Sequence, residues 1–460
     1  QSNTVTGSSE ADFTQNNNIP TINQVVSGEN DCNQSDEQTA SGDNFAICSN
    51  DNALNEIESI TQTNDATGTH VDDIFQDNTG SFSQVMTLAN GCDATTFSDS
   101  GDNSAVCSNN DAQNSIGPVD QTNTATGNDD VLIDQDNNVA VSQDLTANND
   151  CDATALNDAF CQNFAIETTG NHISSITQDN TGTGDGFAAI LQTNDATIAQ
   201  NVNLFNSCDE SGGGHNEAGC FNNDDFTLFS PNSIGPVAQT NTASGAAQSD
   251  SVLQSNDAQV TQDFQATNDC DEENSGSSFA LCFNSDTSIN NIDSITQTND
   301  ATGGDDTVQL SFVGINQDLQ LVNVCDETGL GDISDNSFCG NNYANSIGPV
   351  VQDNVATGSG DADFTQNNNI PTINQVITAE NDCDQTDAQS AGGSNFAQCS
   401  NSSGSSDPSN DITSITQNND ATGTHVDDIF QDNTASLSMV MTLGNDCDAT
   451  TFTDSGDNNA

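Results

Sequence analysis

The chain has 460 residues, 70 Asp plus Glu and no Lys or Arg, for a formal charge of −70. Ion pairs to Lys or Arg are therefore excluded as a device of the fold, and nucleic acid and anionic lipid are excluded as electrostatic partners, because those contacts need basic side chains. Only 32% of residues are hydrophobic, and no apolar run approaches the ~18 residues of a membrane span.

Order comes from repetition, the first thing to search for in such a composition. ADFTQNNNIPTINQV stands at Ala11–Val25 and again at Ala362–Val376, and THVDDIFQDNT at 69–79 and 424–434. Shorter units of about 58 residues lie between, ending alternately in phrases such as SITQTNDATG (59–68) and PVDQTNTATG (118–127). The units run 1–68 (opening in the last strand of a preceding unit), 69–127, 128–184, 185–245, 246–303, 304–358, 359–423 (a copy of the first) and a partial 424–460 (a copy of the second).

Three strands are predicted in each unit. The first has the form apolar-x-Gln-x-Asn, as in Ile74, Gln76 and Asn78; the sixth unit departs there, with Val308, Gln309 and Phe312 out of register. The second keeps a strict two-residue period, as in Phe82, Gln84, Met86, Leu88, Asn90 and Cys92, and recurs eight times. The third closes the unit, as in Ile60, Gln62, Asn64 and Ala66, before an Ala-Thr-Gly turn. A two-residue period places one set of side chains on one face of a strand. The expected fold is all-β, a repetitive β-solenoid.

Gln and Asn share parity with the apolar residues and so face inward. A buried amide is costly unless it is hydrogen-bonded. Stacking like rungs ~4.8 Å apart meets that need, each amide donating to one neighbour and accepting from the other. The expected ladder residues are Gln24, Gln62, Gln76, Gln84, Gln121, Gln135, Gln143, Gln178, Gln192, Gln200, Gln239, Gln254, Gln262, Gln297, Gln317, Gln352, Gln375, Gln417 and Gln431. Gln84 and Gln143 should then lie on adjacent rungs. The spacing Ser59, Gln62, Asn64, Ala66 and then Gln76 resembles curlin-type repeats. That resemblance implies an extracellular, amyloid-like β-solenoid fibre of a biofilm matrix or cell surface.

Fifteen Cys fall as seven pairs and a remainder: Cys32/Cys48, Cys92/Cys107, Cys151/Cys161, Cys208/Cys220, Cys270/Cys282, Cys325/Cys339, Cys383/Cys399, with Cys447 unpaired. One disulfide per unit is the leading expectation, and implies an oxidising, extracellular setting. Bonds between neighbouring rungs and metal binding remain alternatives. Gln1, Asn3 and Val5 match Gln352, Asn354 and Ala356, and the partner expected for Cys447 would follow Ala460. The expectation is a window of a longer repetitive chain, or a subunit continuing into its neighbours.

No catalytic constellation is found. His70 and His425 are copies, and His172 and His215 stand apart from them. The chain is expected not to be an enzyme and to need no cofactor. Ca²⁺ remains open at the acidic corners after the Cys positions, Asp93, Asp152, Asp209, Asp271, Asp326, Asp384 and Asp448, and at Asp72/Asp73, Asp129/Asp130 and Asp305/Asp306, since Ca²⁺ takes oxygen ligands. Asn33 and Asn401 begin glycosylation sequons. The expected function is a structural filament, sheath or matrix fibre whose partner is itself; the alternative is a Ca²⁺-dependent adhesin stalk or another surface-binding solenoid.

Overall fold

The computed structural model describes the chain from Gln1 to Asn459 apart from residues 9–11, 37–43, 52, 70–72, 97–102, 111, 129–130, 155–156, 166–169, 186–187, 213–214, 225–231, 246–250, 275–276, 286–289, 304–305, 330–334, 343, 388–394, 402–408 and 452–457. All regular structure among the described residues is strand, and every strand pairing is parallel. No helix among them is long and apolar enough to cross a membrane.

The second rung shows the plan. A long strand, Asp73–Thr96, runs outward. Three shorter strands return over its inner face: a cysteine strand (Asn103–Asn110), a corner strand (Gln113–Ile116) and an amide strand (Val119–Asn128). The next long strand, Val131–Thr154, lies on the first in unbroken register, with Gln135 on Gln76, Gln143 on Gln84 and Cys151 on Cys92. The long strands thus form one layer and the return strands the other, in a flattened parallel solenoid. At 24 residues, a long strand spans about 80 Å at ~3.3 Å per residue.

The expected solenoid is present, but its coil is divided differently. The first two predicted strands are one continuous strand, because residues 79–81 keep the alternation and the pairing. Only the first and seventh rungs bend there, where the ladder shifts between Ile19 and Ile22 and between Ile370 and Ile373. Each break holds a Pro, Pro20 or Pro371, which removes a ladder donor. The cysteine and corner strands are additions to the expected plan.

The interior is zoned along the strand. In the long strand of the third rung the buried residues read Val131, Ile133, then Gln135, Asn137, then Val139, Val141, then Gln143, then Leu145, Ala147, then Asn149, then Cys151, Ala153. Apolar zones and amide zones alternate, and each zone stacks on its own kind in the rungs above and below. This arrangement lets a chain poor in hydrophobic residues hold a continuous interior: each apolar zone removes surface from water, and the polar zones between are hydrogen-bonded.

Candidate functional site

The candidate functional surface is the stack itself. Three Gln columns run through it. Gln143 Nε2 donates to Gln84 Oε1 at 2.8 Å, and Gln200 Nε2 donates to Gln143 Oε1 at 2.8 Å. Gln135 stands likewise on Gln76, and Gln121 on Gln62. Every Gln expected in a ladder takes part in one, and the columns also include Gln15, Gln309 and Gln366. The sixth rung needs a correction. Gln309 is in register, paired with Gln254, and Ser311 takes the Asn place beside Asn299 and Asn354.

Asn columns form a second set. Two columns face each other across the layers and interlock. Asn78 Nδ2 donates to Asn123 Oδ1 and to Asn137 Oδ1, both at 2.9 Å. Two further columns, on the cysteine and corner strands, were missed in the sequence: Asn109 donates to Asn163, and Asn114 to Asn171. Their signal is there to be read, in Cys-x-Asn (Cys107, Asn109) and in Asn-x-Ile (Asn114, Ile116).

The ladders have a direction. Each Gln donates toward the N-terminal rung, as Gln121 to Gln62 and Gln431 to Gln366. The Asn of the inward columns donate toward the C-terminal rung, as Asn3 to Asn64 and Asn381 to Asn445. The N-terminal face of a rung therefore offers Gln donors and Asn acceptors, and the C-terminal face offers the reverse.

The sulfurs form one zigzag column. Cys32–Cys48, Cys92–Cys107 and Cys151–Cys161 are bonded within a rung, as expected. Beyond them the bonds join neighbouring rungs: Cys220–Cys270, Cys282–Cys325, Cys339–Cys383 and Cys399–Cys447. This corrects the pairs Cys208/Cys220, Cys270/Cys282, Cys325/Cys339 and Cys383/Cys399. The free thiol is Cys208, not Cys447. The reason is geometric. A cysteine strand lies between two long strands, and its sulfur reaches either one. Cα separations are 5.9–6.2 Å within a rung and 6.3–6.4 Å between rungs, all inside the range that a disulfide spans. The sulfurs of Cys151, Cys161 and Cys208 all lie within 4.8 Å of one another. Burial pushes the Cys208 thiol well up.

The acidic corner is a column of its own. Asp93, Asp152, Asp209, Asp271 and Asp326 stand on successive rungs, followed by Asp384 and Asp448. Asp152 is pushed up to about 6, by burial first and then by Asp150, Asp209 and Asp93. Burial and neighbouring carboxylates raise Asp93, Asp209, Asp271, Asp326 and Asp384 as well. Of the acidic pairs, Asp72, Asp129, Asp130 and Asp305 lie outside the described residues, as does His70. His172 approaches Ser174 Oγ through Nε2 at 3.4 Å, and burial lowers its pKa. The remaining candidates are the sequons. Asn33 is exposed. Asn401 belongs to an inward Asn column, its Nδ2 donating to Gly444 O and Asn445 Oδ1. That nitrogen is where a glycan would attach, so the Asn401 reading is corrected.

No protein-family model, curated protein or solved structure matches the chain significantly. A repetitive parallel β fold with about one disulfide per unit fits a structural repeat protein.

Proposed function

We propose that the chain is the repeating body of an extracellular filament, sheath or matrix fibre that grows by adding rungs along the solenoid axis. One observation carries this reading. The segment Ala362–Val376 is identical to Ala11–Val25, and within the chain it already sits on another rung. Gln366 donates to Gln309, and Gln375 to Gln317. The chain thus already stacks this segment on a preceding rung, the kind of parallel contact that a second copy would make.

Ladder direction supports a polar fibre. Two N-terminal faces would bring Gln donors against Gln donors and Asn acceptors against Asn acceptors. An N-terminal face on a C-terminal face matches every column. Such a head-to-tail contact does not close and generates a filament. The −70 charge opposes sideways bundling through self-repulsion. Disulfides favour an oxidising compartment, which supports secretion or display at the cell surface. No catalytic role and no nucleic-acid or membrane-spanning partner is proposed.

Electron microscopy of purified material, with light scattering at low and high salt, tests the reading. Unbranched fibres with an axial repeat near ~4.8 Å in diffraction are expected. A monodisperse particle of about 48 kDa under all conditions would sink it.

A further inference from the structure

Two residues past the long-strand Cys, one position carries an unusual series. Backbone register aligns Gln34, Ala94, Ala153, Glu210, Glu272, Glu327, Gln385 and Ala449 in rung order, and Ala94, Ala153, Glu210 and Glu272 are buried. Ala fills this place without cost, and Gln fills it without charge. Glu210 and Glu272 are stacked on adjacent rungs and each is only 2% exposed. Neither oxygen of Glu210 has a hydrogen-bond partner. Glu272 accepts the Phe279 N–H through Oε2 at 2.8 Å. Both line a groove of about 580 Å³ whose rim carries Asp152, Asp209, Asp271 and Asp326. A buried carboxylate needs a counter-charge or a proton, and the sequence has no Lys or Arg to supply the charge.

We propose that Glu210 and Glu272 form a binding site for one divalent cation of the Ca²⁺ class, reached through the groove at the acidic corner. The donors on offer are all oxygens, which selects a hard cation over a soft one. Glu210 brings two unpartnered oxygens, and the rim carboxylates concentrate cations at the mouth. Among the described side chains, the titratable groups around the pair are acidic: Asp158 and Glu217 from the cysteine strands, and Glu273 and the rim aspartates from the long strands. Without a cation the pair must hold protons. Burial, then Glu272, pushes Glu210 up to about 10, and the nearby Glu217 backbone offsets this only in part. Binding of Ca²⁺ at neutral pH therefore displaces protons from the carboxyls to solvent. The site lies within one chain, so it stands or falls independently of filament growth.

The test uses the full chain stripped with a chelator and Ca²⁺ alone as probe, in high NaCl to suppress diffuse binding to the surface. Calorimetry in buffers of different ionisation enthalpy should show one saturable site with proton release. Glu210→Gln and Glu272→Gln should each weaken it at least tenfold, whereas Asp93→Asn, outside the groove, should not. Gln has nearly the size and shape of Glu, so the variants suit the stack. If either nevertheless disturbs it, the wild-type proton count decides. Saturable binding without proton release, binding unchanged in both variants, or no saturable site at all would each overturn the proposal; the last would leave the pair as carboxyls sharing a proton.

Discussion

At Gln143 one side chain makes four hydrogen bonds at once. Its Nε2 reaches Gln84 Oε1, the Asn114 carbonyl and the His172 carbonyl, and its Oε1 accepts from Gln200. Gln143→Leu would keep the volume but leave Gln84 Oε1 buried without a donor. Each orphaned buried group costs about 1–3 kcal/mol. A loss of roughly 2–4 kcal/mol is expected from denaturant midpoints, against less than ~0.5 kcal/mol for the outward Ser142→Ala. The sulfurs make a second prediction at this scale. Peptide mapping without reduction should find Cys92–Cys107 beside Cys220–Cys270. Alkylation after unfolding, without reduction, should mark Cys208. Pairing within rungs throughout, with Cys447 alkylated instead, would contradict the structure.

Among the elements, the corner between corner strand and amide strand explains the alternation of unit endings. A Cβ on Gly117 would sit 1.8 Å from Glu58 O; on Gly235, 1.9 Å from Ser174 O; on Gly348, 1.7 Å from Asp293 O. Each of these rungs follows one whose carbonyl points into the corner. The rungs between, with Ser174, Asp293 and Thr413 at the same place, rest on Gly-containing rungs and bond to them through Ser174 N, Asp293 N and Thr413 N. The Gly-Pro-Val ending is thus a steric response to the rung below. Gly117→Ala should cost about 1–3 kcal/mol through overpacking, and Ser174→Ala should be close to neutral. Thermal melting of the two variants, measured side by side, checks this; equal midpoints would refute the corner argument.

For the whole molecule, the absence of Lys and Arg inverts the usual response to acid. Asp152 and Glu210, pushed up to about 6 and about 10, and the raised aspartates Asp136, Asp179 and Asp195 all bind protons more tightly folded than unfolded. Burial is the first cause in each case. Where the native state holds more protons, stability falls as pH rises. The window opens at the unfolded carboxyl range, near pH ~4, and for Glu210 extends to about 10. In chelator, the melting temperature should therefore rise as pH falls from 8 to about 5, and rise with added salt at pH 8 as surface repulsion is screened. The same scans on Glu210→Gln should show a shallower slope. Melting that drops on mild acidification would contradict the assigned shifts.

Alternation and repetition are written locally, and together they settle most of this fold. Period two assigns each Gln, Asn and Cys to the inner face, and like units in parallel register then stack like on like, so Gln84 meets Gln143 without any further information. The corner strand, only Gln113–Ile116 in its rung, is too short for period two to stand out. Residues 79–81 resemble a break until the neighbouring rungs hold them in the ladder. Cysteine pairing was undetermined for a deeper reason. Sequence separation suggests the nearest partner along the chain, but in a solenoid the rung above is almost as near as the strand across, and only the packed positions choose between them. Glu210 shows the same limit. Its parity could be read from the sequence, but the cost of placing it directly beneath Glu272, in a chain without Lys or Arg, exists only once the rungs are stacked.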